Sequence, residues 1–381
     1  MKREILSPRK NWQEKLEDIG FNYHSIGGTY WQENACYSFT AEEIDTIEAA
    51  TQELHEMCLT AIDYIICEDL FEQFAIPVQF KQSIIDSWHQ HQPSIYGRFD
   101  LSYQTGQPPK LLEYNADTPT ALLEASVAQW YWLQDVKPDY DQFNSIHEKL
   151  IDQWKYIKDY SEQDLTFYFC SVSSEEDFYN LEYLRDTAIQ AEIKTQQLFI
   201  EDIGWNNQTQ QFIDLNQQPI NALFKLYPWE WMINEEFGQY LLNNSIALII
   251  EPYWKMLLSN KAILPILWQL YPDHPNLLPA YFKPDLLGDT YVKKPILSRE
   301  GANISIKTPS MTLNEQGTYG AEGYIYQAYA PLPKFNDNYA VIGSWIIGNE
   351  AAGIGVREDN SLITKNSSRF VPHYFIPEDY S

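Results

Sequence analysis

Two short runs that alternate polar and apolar side chains, joined by a turn, constrain this chain more than any other part of it. Arg98 and Asp100 alternate with Gly97, Phe99 and Leu101, and Glu113, Asn115 and Asp117 alternate with Leu112, Tyr114 and Ala116. A period of two places each polar set on one face of an extended strand. The intervening Thr105-Gly-Gln-Pro-Pro supplies turn residues, so the spacing predicts a hairpin whose polar faces meet. Asp100, Glu113 and Asn115 would then present three oxygen donors in one place, a hard set suited to Mg²⁺ rather than to zinc or copper. The plain alternative is the wet face of a two-stranded ribbon. Three acid or amide oxygens beside an arginine make a poor β surface, which favours a site.

At 381 residues the chain exceeds one compact core, so two or three fused lobes are expected. Its 44% hydrophobic and 15% aromatic content supplies a large core and argues against disorder. The balance of 26 basic against 53 acidic side chains gives a formal charge of −27. Such a surface repels phosphate backbones and anionic headgroups, so neither nucleic acid nor membrane is an expected partner, and a cationic amine could be attracted. Ordinary solubility explains the acidity equally well. Cys36, Cys58, Cys67 and Cys170 form no CxxC pair and read as buried free thiols. With no apolar leader and no bilayer-length apolar run, a reducing cytoplasm is expected.

Thr40-Ala-Glu-Glu offers a helix N-cap, and Ile44, Ile47, Leu54, Cys58, Ala61, Ile65 and Leu70 recur at helical spacing after it. Further helices are expected over 119–132, over 143–156 and from Ser173 onward, with a strand at Thr166-Phe-Tyr-Phe-Cys between the last two. Strand followed by helix points to mixed α/β architecture. After a proline-punctuated crossing from Pro265 to Pro284, strands are expected near Tyr291, over 324–329 and over 340–347.

Two further segments carry possible chemistry. Lys293-Lys294 precede Pro295 and the polar loop Ser298-Arg-Glu-Gly-Ala-Asn, which could bring amides and a guanidinium near phosphates. There is no GxxxxGK[ST] and no GxGxxG, so neither a P-loop nor a Rossmann site is indicated, and a solvated face is the bland reading. In Ala351-Ala-Gly-Ile-Gly-Val-Arg-Glu-Asp, two glycines permit close backbone approach before Arg357 emerges; a bent strand ending in a salt-bridged turn is the bland reading.

In order, Gly97-Arg-Phe-Asp, Glu113-Tyr-Asn-Ala-Asp, Lys225-x-x-x-Trp-Glu, Lys294-Pro-Ile-x-x-Arg, Gly301-x-Asn-Ile, Gly343-Ser-Trp and Arg357-Glu-Asp make a pattern. It resembles, from Trp12 to His373, the ATP-dependent carboxylate–amine ligases typified by the synthetase domain of glutathionylspermidine synthetase. The resemblance implies an α+β, ATP-grasp fold of the eukaryotic glutathione synthetase kind, with ATP and Mg²⁺ held between two lobes. It implies one ligase unit over 1–381, divided into a helical and hairpin lobe (1–135), a substrate-side α/β lobe (136–255) and a nucleotide lobe (256–381), without an amidase domain.

The resemblance also implies roles. Asp100, Glu113 and Asn115 would hold Mg²⁺; Lys261, Lys294, Gln327, Ala328, Tyr329, Ala330, Leu362, Ile363 and Thr364 would contact nucleotide. Arg98, Arg299 and Arg357 would act as the catalytic cations on phosphate and the developing acyl phosphate, with Arg98 also touching nucleotide. Thr118, Thr120, Glu175 and Glu176 would lie at the acid and amine substrates. The two threonines replace serines that line the glutathione site, and Leu226 replaces a threonine, which puts glutathione in doubt. Glu175 and Glu176 could equally be helix-start acids facing the macrodipole. No obligate protein partner is expected. Two other readings stay open: a fold relative that binds nucleotide without turnover, and a hydrolase using paired carboxylates. The lysines favour a nucleotide over a sugar.

Overall fold

The computed structural model describes residues 1–161, 163–243 and 245–377. It is a mixed α/β structure with both parallel and antiparallel sheets. The predicted hairpin forms from Tyr96–Ser102 and Lys110–Asn115. It does not stand alone: Asn338–Ile347 pairs antiparallel with Tyr96–Ser102, Glu350–Asp359 follows, and Arg369–Val371 closes the far edge, while Lys334–Phe335 pairs with Asn338–Ile347. Every residue of Tyr96–Ser102 is buried, so the polar alternation is not a wet ribbon face. This six-stranded sheet also crosses the lobe division expected from sequence, because it joins strands from 96–115 to strands from 334–371.

A second sheet, antiparallel and five-stranded, runs in the order Ala280–Tyr281, Tyr324–Ala328, Tyr291–Pro295, Ser305–Thr308, Met311–Asn314. A third is parallel, ordered Leu248–Ile250, Ala222–Leu226, Thr166–Ser171, Lys194–Phe199. Parallel strands need covered faces and read as apolar runs, which Phe167, Phe169, Leu223 and Phe224 supply. Lys2–Ile5, Ala35–Thr40 and His373–Ile376 form a small sheet that brings the two ends of the described chain together.

The helix Ala41–Cys67 starts as its sequence dictates: Thr40 accepts from the Glu43 amide, and the Glu43 carboxylate accepts from the Thr40 amide. Its apolar stripe, from Ile44 to Ile65, enters the core that also takes Phe99, Leu101 and Tyr114 from the back of the hairpin. Three expectations need correction. The helix ends at Cys67, and Leu70 belongs to a 3₁₀ turn. Cys67 is exposed, unlike the other three thiols; nine residues beyond Cys58 is two and a half turns, which puts it on the opposite face. The helix expected over 119–132 starts only after Ala121, whose φ of 67° breaks the backbone, and its first turn, Glu124–Ala128, is π-helical before Gln129–Val136 becomes regular. Among the described residues no helix is long and apolar enough to cross a membrane.

Candidate active site

The hairpin register sets the site. Arg98 lies opposite Asn115 and Asp100 opposite Glu113, so all four side chains share one face. On the other face Phe99 and Tyr114 stack with ring centroids 3.9 Å apart. Gly97 is required by that stack: a Cβ there would sit 2.6 Å from the Tyr114 hydroxyl oxygen. Across the sheet, a Cβ on Gly343 would come within 2.8 Å of Arg98 Cδ, so glycine lets the arginine lie flat along the strand, near the ring of Trp345 at 5.8 Å.

Charge on this face is dense and paired. Arg98 donates from Nε to Asp100 Oδ1 at 2.7 Å, and Arg357 donates from Nη2 to Asp100 Oδ2 at 2.6 Å. Arg98 Nη1 also donates to the Thr120 carbonyl at 2.5 Å, fixing the turn that carries Thr118 and Thr120. Arg299 donates to the Thr118 hydroxyl and lies 3.3 Å from Glu230. Lys261 pairs with Glu113 at 3.0 Å and donates to the Ser298 carbonyl at 2.6 Å. Lys294 donates to the Leu112 carbonyl at 2.7 Å and to Gln327 Oε1 at 2.8 Å, and Gln327 donates in turn to the Leu111 carbonyl. The two lysines that precede Pro295 therefore divide: Lys294 is buried against the hairpin, while Lys293 covers the Tyr324 ring. Alternation along the strand produces that split.

These surroundings set protonation. Burial disfavours an ionised Glu113, but Lys261 and Lys294 outweigh it and hold the carboxyl below its ordinary range. Burial pushes Lys294 down to about 8, with Glu113 opposing and Lys261 assisting. Burial raises Glu176 to about 7, helped by the charge of Glu124.

Two adjoining clefts meet at this face. One lies between the five- and six-stranded sheets and spans about 680 Å³ with its open mouth included; its walls include Asp100, Glu113, Lys294, the 327–330 segment and the 362–364 segment. The other, about 520 Å³ on the same footing, is lined by Arg98, Asp100, Glu113, Asn115, Thr118, Thr120, Arg299 and Arg357. Residues named from distant stretches of sequence thus converge. Lys261 reaches the clefts through Glu113, and Glu176 through Asn366, whose amide lies 3.4 Å from it. Glu175 is exposed at the helix start and lines neither cleft.

Three features escaped the sequence reading. Val292, Ile304, Ile306, Leu332 and Val341 give the larger cleft an apolar slot, indistinguishable in sequence from core alternation. Lys225 and Asp117, each with a fully buried side chain, form a 2.5 Å pair, and Asp117 Oδ2 also accepts the Trp229 amide at 2.8 Å. That pair anchors the turn ahead of Thr118 and explains the Lys225-x-x-x-Trp-Glu spacing, because Glu230, next to Trp229, engages Arg299. Glu124, on the π-helical turn, is fully buried; Oε1 accepts from the Tyr30 hydroxyl at 2.6 Å and Oε2 has no hydrogen-bond partner among the described residues. Burial raises its pKa above the ordinary glutamate value. Only the local departure from helical backbone marks it.

Asp100, Glu113 and Asn115, on one face of the two hairpin strands, are oxygen donors of the hard type that Mg²⁺ takes, and in this structure Asp100 is paired with Arg98 and Arg357 and Glu113 with Lys261. Among the described residues, no group of three or more His, Cys, Asp or Glu is placed to hold a metal.

Residues 3–376 match the glutathionylspermidine synthase preATP-grasp family. A Haemophilus influenzae protein provisionally named an acid–amine ligase is 45% identical over 99% of this chain and 100% of its own length. Trypanothione synthetase of Crithidia fasciculata is 29% identical over 94% of this chain and 57% of its own, and the bifunctional glutathionylspermidine synthetase/amidase of Escherichia coli is 27% identical over 95% and 63%. The chain therefore spans a little over half of the two longer relatives. All three are named for ligation or synthesis, the enzyme class expected from the sequence, an ATP-dependent carboxylate–amine ligase. A match along almost the whole chain, with the motif residues gathered at one cleft, makes this protein a member of the glutathionylspermidine synthase preATP-grasp family.

Proposed function

We propose that this chain joins a small or peptide-like carboxylic acid to an amine through an acyl phosphate, with ATP held as in an ATP-grasp fold. The observation that carries the reading is the junction of the two clefts. An apolar slot with the Gln327–Ala330 strand end opens directly onto a face where Arg98, Arg357, Lys261 and Lys294 surround Asp100 and Glu113. The slot suits a purine, and the charged face suits a triphosphate with its metal. Asp100, Glu113 and Asn115 would hold Mg²⁺, which when bound neutralises phosphate charge.

A carboxylate oxygen of the acid attacks the γ-phosphorus, the bond to the β-bridging oxygen breaks, and ADP leaves with that electron pair. Arg98 and Arg357 would neutralise the charge that gathers on the transferring group, and Arg299, anchored on Thr118 and Glu230, would serve the acyl end. The amine then attacks the acyl carbon, the C–O bond to phosphate breaks, and the ammonium proton must leave. Glu176, raised to about 7 and linked to the cleft by Asn366, supports the role of proton acceptor. The acid carrying ¹⁸O in its carboxylate tests the intermediate: one label per turnover should appear in inorganic phosphate, and unlabelled phosphate would reject the acyl phosphate.

A further inference from the structure

The parallel sheet carries a concavity that the ligation chemistry does not use. From Thr166–Ser171 the chain passes through the helix Glu175–Gln190 to Lys194–Phe199 on one side, whereas from Ala222–Leu226 it goes on to Leu248–Ile250 on the other. Connections leaving two neighbouring parallel strands in opposite directions open a crevice beyond their carboxyl ends, the place where ligands bind in open α/β sheets. Here that place is an open concavity of about 970 Å³ with its solvent mouth included, and Val172, Ile200 and Tyr227, each the first residue past a strand end, all line it.

Its chemistry is two-sided. The floor is apolar, with Phe212, Met232 and Leu241 buried beneath it. Glu201, Glu235 and Glu236 line it from exposed positions, and no Lys, Arg or His is among its lining residues. Glu235 accepts from the Tyr227 hydroxyl at 2.5 Å, which ties one acid to the strand-end side. None of its lining residues lines the two clefts at the hairpin. The short helix Trp229–Met232 divides them, giving Glu230 to Arg299 and Met232 to the crevice.

We propose that this crevice binds an amphipathic cation, an amine carried on an aliphatic or aromatic body, with the body on the apolar floor and the ammonium among Glu201, Glu235 and Glu236. Apolar floors without acids would take neutral ligands, and acids without a floor would take any cation; the pair selects for both features.

Calorimetric titration of the full chain with n-hexylamine, methylamine, 1-hexanol and hexanoate tests this. Hexylamine should bind saturably, methylamine and hexanoate should not, and hexanol should bind more weakly. Glu201→Gln/Glu235→Gln/Glu236→Gln should weaken hexylamine at least about tenfold, while the charge-matched control Glu48→Gln/Glu68→Gln/Glu72→Gln, at exposed positions elsewhere, should not. Absence of saturable hexylamine binding, or equal weakening by both triple variants, overturns the proposal. ATP affinity belongs to the other cleft and should be unchanged in both variants, so failure here leaves the ligase reading standing.

Discussion

Glu113 lines both clefts, Glu176 reaches the smaller one only through Asn366, and the two acids are held in opposite states. Glu113 faces Lys261 and Lys294, which keep it ionised despite burial. Glu176 is half-buried and feels the charge of the buried Glu124, and no cation pairs with it among the described residues, so desolvation prevails and its pKa rises to about 7. In the proposed mechanism this difference would let Glu113 serve the phosphate charge while Glu176 takes up a proton. Residue type does not set the role; the sign of the nearest charge does.

The comparison breaks most visibly at Asp100. Asp100→Asn leaves the buried Arg98 and the half-buried Arg357 guanidiniums without their counter-ion, and the expected cost is about 3 kcal/mol of stability, read by chemical denaturation. Turnover should fall about 10³-fold, as removal of preorganised transition-state electrostatics does. Next is Arg357→Lys, which keeps the charge but loses the planar fork, with turnover down about 10²-fold and ATP affinity nearly unchanged in equilibrium binding.

The proton-taking side is sharpened by pH. An ionised acceptor is needed, so kcat/KM should rise with pH and level off above about 7, and Glu176→Gln should lose that inflection. The sign for stability is opposite. Because the folded pKa is raised, the native state binds more protons than the unfolded chain between about 4.5 and about 7, so stability falls as pH rises through that window; Glu176→Gln should flatten the dependence of Tm on pH. A smaller effect is expected at Lys294, held to about 8: ATP affinity should decline as pH rises past that value, and Lys294→Met should remove the decline along with about tenfold in affinity. Smallest of all, Val341→Ala in the slot should raise the KM for ATP about threefold without changing kcat, since it trims apolar contact only.

The ionised side was largely legible in the sequence. Period-two alternation places Arg98, Asp100, Glu113 and Asn115 on one face without any tertiary knowledge, and a central glycine beside an arginine signals close packing. The proton-taking side was half legible. Glu176 follows a recognisable helix cap at Ser174, but Glu124 sits in a stretch that reads as ordinary helix; the left-handed Ala121 and the π turn after it have no periodic signature. The Lys225–Asp117 pair spans 108 residues, and only folding shows which acid a buried lysine meets. Solvated-face and salt-bridged-turn readings of Lys294 and Arg357 fail for the same reason: their partners, Gln327 and Asp100, lie far away in sequence.

The most direct test of the central claim is release of ADP and phosphate from MgATP across a matrix of small acids and peptides against amines, amino acids and ammonia. Turnover in the matrix should need both an acid and an amine, with ADP, phosphate and amide formed one to one to one. ATP bound in the cleft with no acid and amine pair turned over, or hydrolysis indifferent to the amine, would contradict it.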